Sequence, residues 1–133
     1  MVITDGHGIP LAIGVHSASP HEVKLAETTL KKVDRRFRGC IERLVGDNAY
    51  DSLALRERLA KQGIELIAPH KSNRVKPVQD GRSLRRYKRR WKIERTNAWL
   101  QNFRRIVVRW ERRPEIYHAF AKLACIIIAI RHL

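Results

Sequence analysis

Two acidic residues stand out for the chemistry they could do in a chain whose charge is mostly positive. Glu94 is the one carboxylate within Tyr87-Lys88-Arg89-Arg90-Trp91-Lys92-Ile93-Glu94-Arg95, the most basic stretch of the protein, and Asp47 directly follows a short apolar run ending at Gly46. Carboxylate oxygens are hard donors suited to magnesium or manganese, whereas guanidinium and ammonium groups suit phosphate. A helix from Leu84 to Val107 would put Tyr87, Arg90, Glu94 and Gln101, spaced by three, four and seven residues, on one face. That face could offer a carboxylate to a metal ion while its neighbours touch phosphate. The plainer alternative is a solvated helix on which Glu94 pairs with Arg90 and Lys88, worth tenths of a kcal/mol.

The elements that must position these residues follow from periodicity and turn chemistry. Val2 to Thr4 reads as a strand, and Asp5-Gly6-His7-Gly8 supplies a hairpin turn into a second strand over Leu11 to Val15. Ser19-Pro20-His21-Glu22 is a capping box with proline at the first helical position, predicting a helix to about Val33. His16 and His21 read as hairpin and helix-entry residues, since no third ligand lies at metal spacing. Ile41 to Gly46 has the profile of a buried strand that delivers Asp47 to the carboxyl edge of a parallel sheet. Asp51-Ser52 then caps a helix from about Leu53 to Gln62, stopped by Gly63, and Ile64 to Ala68 forms a further strand.

From His70 to Ser83 the chain is polar and basic without periodicity, which predicts a mobile loop. The long helix after it has Ile93, Leu100, Phe103 and Val107 as its apolar side. Pro114 opens a final helix that is apolar on nearly every side from Phe120 to Ile130 and is expected to pack as a core helix. Its apolar run, Ala119 to Ile130, is interrupted by Lys122 and falls short of the roughly twenty residues that span a bilayer.

Composition narrows the class of partner. The chain has 133 residues, 44% of them hydrophobic, which is enough for one modest domain or part of one. Of its formal charge of +15, residues 74–113 carry +12, from 15 Lys and Arg against 3 Asp and Glu. So local an excess marks a polyanion footprint, and nucleic acid is the commonest polyanion. The block also holds Tyr87, Trp91, Trp99, Phe103 and Trp110, which a disordered basic arm would lack. Cys40 and Cys125 sit in unrelated contexts with no metal-ligand spacing and read as two buried free thiols in a reducing compartment. The first residues have neither a basic n-region nor an apolar h-region, so no signal peptide is expected.

Gly46-Asp47-Asn48-Ala49-Tyr50-Asp51-Ser52 resembles the second-aspartate motif of DDE transposases of bacterial insertion sequences. Tyr87-x-x-Arg90-x-x-x-Glu94 resembles the signature around their catalytic glutamate. Asp5-x-x-Gly8-x-Pro10-Leu11, the stretch from Gly63-Ile64 to Arg74, and Phe103-Arg104-Arg105 are similar to that family as well, so the likeness covers nearly the whole chain. The resemblance implies an α/β fold of the ribonuclease H-like type, with a mixed sheet followed by a long basic helix and an apolar C-terminal helix. It also implies DNA cleavage and strand transfer with two Mg2+ or Mn2+ ions held by three carboxylates, at the nucleoid of a bacterial cytoplasm.

By the same resemblance Asp47 is the second carboxylate and Glu94 the third. Tyr87, Lys88, Arg89, Arg90, Lys92, Arg95, Gln101, Arg104 and Arg105 are then the DNA-contacting set. Where the family usually has lysine seven residues after the glutamate, this chain has Gln101, which weakens or alters that contact. The family's first aspartate lies on a strand preceding Val2 to Thr4, so the chain reads as the C-terminal part of a transposase catalytic domain, expected to be inactive alone. It would need an upstream transposase segment or act as a homodimer. Asp5 does not replace the missing residue, since in the fold that the resemblance implies the end of the Val2 to Thr4 strand lies at the opposite sheet edge, roughly 15 Å away at about 3.3 Å per residue. Two other functions are compatible with the charge: a non-catalytic DNA-binding protein acting at transposon ends, and a structural RNA-binding protein in which Asp47 and Glu94 have no shared role.

Overall fold

A computed structural model of the chain describes residues 1–16, 22–72 and 84–132. The chain divides into two compact units, one formed by Met1–Asp34 with Trp91–Leu133 and the other by Arg35–Arg90. Ser19 to His21 of the expected capping box and most of the expected basic loop fall outside the described residues.

The first unit is built on an antiparallel hairpin, β1 (Val2–Thr4) and β2 (Pro10–Ile13), in which Val2 faces Ile13 and Ile3 faces Ala12. Asp5 closes the turn as a turn residue should: its Oδ1 accepts from the His7 and Ile9 amides, both at 2.8 Å. Helix α1 (Glu22–Leu30) follows, then α5 (Trp91–Gln101) and α7 (Pro114–His132) pack with the hairpin, and α6 (Arg104–Val107) packs against α5 and α7. Leu100, Ala124 and Ile128 form a buried cluster against which Val2, Ile13, Trp99 and Phe103 pack. His118 Nε2 lies 2.9 Å from the Ile13 carbonyl and the Tyr117 hydroxyl donates to the Ile106 carbonyl at 2.8 Å, which ties α7 to β2 and α6. His16 Nε2 is buried without a hydrogen-bond partner. Burial, helped by Lys32, the terminal amine and His118, holds the His16 pKa below its usual 6.5.

The second unit holds α2 (Arg35–Arg38), β3 (Arg43–Val45), α3 (Leu53–Ala60), β4 (Glu65–Ile67) and α4 (Leu84–Tyr87). Strands β3 and β4 are parallel, with Leu44 opposite Leu66, and the Gly46 amide extends the ladder to the Ile67 carbonyl at 2.9 Å. Leu55, Leu59, Ile64, Leu66, Ile67 and Ala68 make its core. Ser52 is the N-cap of α3, and Gly63, at φ +75°, takes the left-handed conformation that ends it. Among the described residues no helix is long and apolar enough to cross a membrane.

Five expectations need correction. The long helix from Leu84 to Val107 is interrupted: Lys88–Arg90 tighten into a 3-10 turn, and Asn102-Phe103 separate α5 from α6. Adjacent like charges from Arg85 to Arg90 disfavour the spacing of an α-helix, while Phe103 leaves it to join the Leu100 cluster. The run from Ile41 to Gly46 is not buried, since Arg43 and Val45 are both exposed. Cys40 is exposed; only Cys125 is half-buried, and burial pushes its thiol up to about 11. Helix α7 buries only one face, through Ala121, Ala124 and Ile128, leaving Leu123, Ile126 and Ile130 exposed, and Val107, expected on an apolar stripe, is exposed as well.

Candidate functional site

Asp47 leaves β3 at the carboxyl end of the β3–β4 pair. Its backbone is extended and its Oδ1 accepts from the Ala49 amide at 2.9 Å, capping the 3-10 turn Asn48–Tyr50. The side chain is half-buried and has no other hydrogen bond or ion pair among the described residues. Gly46 is needed beside it because a Cβ there would stand 2.9 Å from the Tyr50 ring. Sequence reasoning gave Asp51 a share in capping α3. The structure gives that task to Ser52 alone and turns Asp51 inward, where its side chain is 1% exposed. Asp51 Oδ1 meets His70 Nδ1 at 3.1 Å and Arg56 Nη2 at 3.4 Å, and Oδ2 accepts from the Lys71 amide at 3.0 Å.

Glu94 lies in the first turn of α5 and is exposed. Gln101, two helical turns later, shares its face, whereas Tyr87 ends α4 and Arg90 lies within the 3-10 turn, so neither continues its α-helical spacing. Helix α5 is fixed on the β1–β2 turn by three side-chain donors. Lys92 Nζ donates to the Gly6 carbonyl, Arg95 Nη2 to that of His7, and the fully buried Thr96 Oγ1 to that of Gly8. Gly8 adopts φ +88°, and a Cβ there would lie 3.1 Å from the Lys92 carbonyl and 3.2 Å from Thr96 Oγ1. Lys92 and Arg95, expected at DNA, thus hold the turn, and Arg95 also sits over the Trp91 and Trp99 rings, at 5.0 and 4.6 Å.

The remaining basic residues differ in how far they are engaged. Arg90 lies 5.5 Å over the Tyr87 ring. Arg105 bonds Glu111 at 2.7 Å and covers Phe120, and that contact draws the Glu111 carboxyl below its usual range. Lys88, Arg89 and Arg104 are exposed.

Asp47 belongs to one unit and Glu94 to the other. Both supply the hard oxygen donors that a divalent ion of this kind needs, though the described residues contain no group of three His, Cys, Asp or Glu that could hold a metal. A family profile described as "Transposase DDE domain" matches residues 1–129. The chain belongs to the DDE transposase family. A putative transposase for insertion sequence element IS402 from Burkholderia cepacia is 35% identical over 133 residues, which cover 96% of this chain and 60% of that relative. The chain thus spans under two thirds of this transposase's length. No solved structure matches. Within this transposase domain, sequence reading missed the buried role of Asp51 and the docking role of Thr96. A Thr within an exposed basic helix and an Asp two residues before a helix carry no signal of what distant carbonyl or amide they will meet.

Proposed function

We propose that this transposase domain serves DNA cleavage and strand transfer at insertion-sequence ends, with Asp47 and Glu94 as carboxylate ligands of the divalent-ion centre and a ribonuclease H-like plan behind them. The observation that carries the reading is the family match across residues 1–129 together with Asp47 at the carboxyl end of a parallel strand pair, where α/β proteins gather their active sites. Two Mg2+ or Mn2+ ions, when bound, supply activation of the attacking water or 3′-hydroxyl and stabilisation of the leaving oxygen. The protein's own residues bind and orient the DNA. Lys88, Arg89 and Arg104 offer exposed charge for phosphate, and Arg90, stacked on Tyr87, offers a planar fork for a bidentate contact. Lys92, Arg95 and Arg105 act chiefly by holding structure, and Gln101 makes an uncharged contact.

Nicking and strand transfer on DNA carrying the element's terminal repeats, with Mg2+ or Mn2+ and with an upstream transposase segment joined to this chain, test this reading. Asp47→Asn and Glu94→Gln should each abolish metal-dependent turnover while leaving salt-dependent DNA binding in place. A second reading, a DNA-binding protein without chemistry, is favoured by the charge of +12 over residues 74–113. It predicts native DNA binding with no metal-dependent strand breakage, and no difference between the native chain and either variant.

A further inference from the structure

The Asp51 cluster has a consequence outside its own packing. A carboxylate that is 1% exposed is unfavourable unless it is paired and hydrogen-bonded. Here the pairing is spent on a single stretch of chain, the exit from β4. Arg56 Nη1 donates to the Leu66 carbonyl and Nη2 to the Ala68 carbonyl at 3.1 Å, while Asp51 itself takes the Arg56, His70 and Lys71 contacts. The Asp51 amide in turn donates to the Asn48 carbonyl at 3.2 Å, closing the short turn that Asp47 caps. One residue therefore grips the Asp47 turn by its amide and the Lys71 backbone by its carboxylate. Lys71 has an exposed side chain with no partner among the described residues, at the same carboxyl end of the β3–β4 pair as Asp47.

We infer that Lys71 is a DNA-phosphate contact beside Asp47 and that Asp51 is the positioning residue that sets it there. The inference rests on the proposed DNA-processing function. An ammonium is a compact cation suited to a single phosphate oxygen, and its usefulness depends on where its backbone is held. Removing a nearby negative charge would by itself strengthen DNA binding, so a purely stabilising Asp51 and a positioning Asp51 predict opposite signs for the Asp51→Asn variant.

The test is DNA affinity as a function of salt for the native chain, Lys71→Gln, Asp51→Asn and the double variant. Loss of one phosphate contact lowers the slope of log affinity against log salt by about 0.9. Lys71→Gln should show that loss, Asp51→Asn should weaken binding in the same direction, and the double variant should bind no worse than Lys71→Gln, as expected of coupled sites. An unchanged slope in Lys71→Gln, tighter binding by Asp51→Asn, or additive effects would each overturn the inference. If Asp51→Asn fails to fold, His70 serves instead. His70→Asn keeps a side-chain nitrogen donor close to Nδ1 and should retain the native slope, whereas His70→Ala should lose part of it; equal behaviour of the two contradicts positioning. Absence of salt-dependent DNA binding by the native chain would remove the underlying function too, whereas normal native binding with an unaltered Lys71→Gln slope removes only this inference.

Discussion

Each unit fixes a candidate carboxylate through a buried polar side chain that reaches a remote turn, but the two use different chemistry. In the first, Thr96, two residues after Glu94 on α5, gives its hydroxyl to the Gly8 carbonyl, 88 residues away in sequence. In the second, Asp51, four residues after Asp47, gives a charged carboxylate to Arg56, His70 and the Lys71 amide. Thr96 is a neutral hydroxyl shared between the Gly8 carbonyl and, at 3.0 Å, the Lys92 carbonyl of its own helix, and its loss strands only the Gly8 carbonyl, since that of Lys92 belongs to the helix ladder. A buried carboxylate is bound into a network, and its loss leaves an arginine that cannot give up its charge. The Asp47 side should therefore be the more sensitive to substitution, and the Glu94 side the more tolerant.

Breaking the charged node sharpens this contrast most. Asp51→Ala should cost about 3 kcal/mol, because Arg56 remains charged and only 18% exposed in its side chain, and amide exchange at Leu66 and Ile67 should accelerate accordingly. The neutral contact should cost less. Gly8→Ala forces a non-glycine residue to φ +88° with a Cβ 3.1 Å from the Lys92 carbonyl, for about 2 kcal/mol, and Thr96→Val, which strands the Gly8 carbonyl, should cost about 1.5 kcal/mol. Both would be read from exchange of the Ile9 amide and from chemical denaturation. Thr96→Val destabilising more than Asp51→Ala would reverse the comparison.

The smallest effect should be a pH dependence that belongs to the first unit. His16 has a folded pKa below its unfolded value of 6.5, so the unfolded chain binds the proton more readily. Its contribution is fully present above pH 6.5, is lost as pH falls from there, and levels off below the folded pKa. Denaturation at pH 7.5 and 5.5 should show that loss in the native chain, and His16→Gln should flatten it.

Much of this arrangement was legible in the sequence where a local rule decides it. Asp5 in the hairpin turn, Gly63 as the helix stop and Pro114 as a helix start follow from backbone chemistry within a few residues, and the structure has each of them. What failed was decided by distant partners or by crowding of like charge. The Leu84 to Val107 pattern gave a helical period, but the repulsion among Arg85 to Arg90 and the pull of Phe103 into the Leu100 cluster break it. Lys92 and Arg95 fall in the DNA-contacting set by resemblance alone, and nothing in their own stretch signals the turn that they also hold. Their carbonyl partners lie at Gly6 and His7, more than 80 residues earlier. Asp51 looked like a cap because Asp before a helix usually is one, and only the fold shows that the β4 exit claims it.

The central claim is that Asp47 and Glu94 are ligands of one metal-dependent activity. Binding of Mn2+ to the chain in the presence of terminal-repeat DNA, followed by the loss of the free-ion electron paramagnetic resonance signal, tests it most directly. Asp47→Asn and Glu94→Gln should each weaken Mn2+ binding by about tenfold or more, since loss of one of few carboxylate ligands removes at least about 1.4 kcal/mol, while Asp5→Asn, a turn residue, should bind as the native chain does. Native-like Mn2+ affinity in both the Asp47 and Glu94 variants would contradict the account.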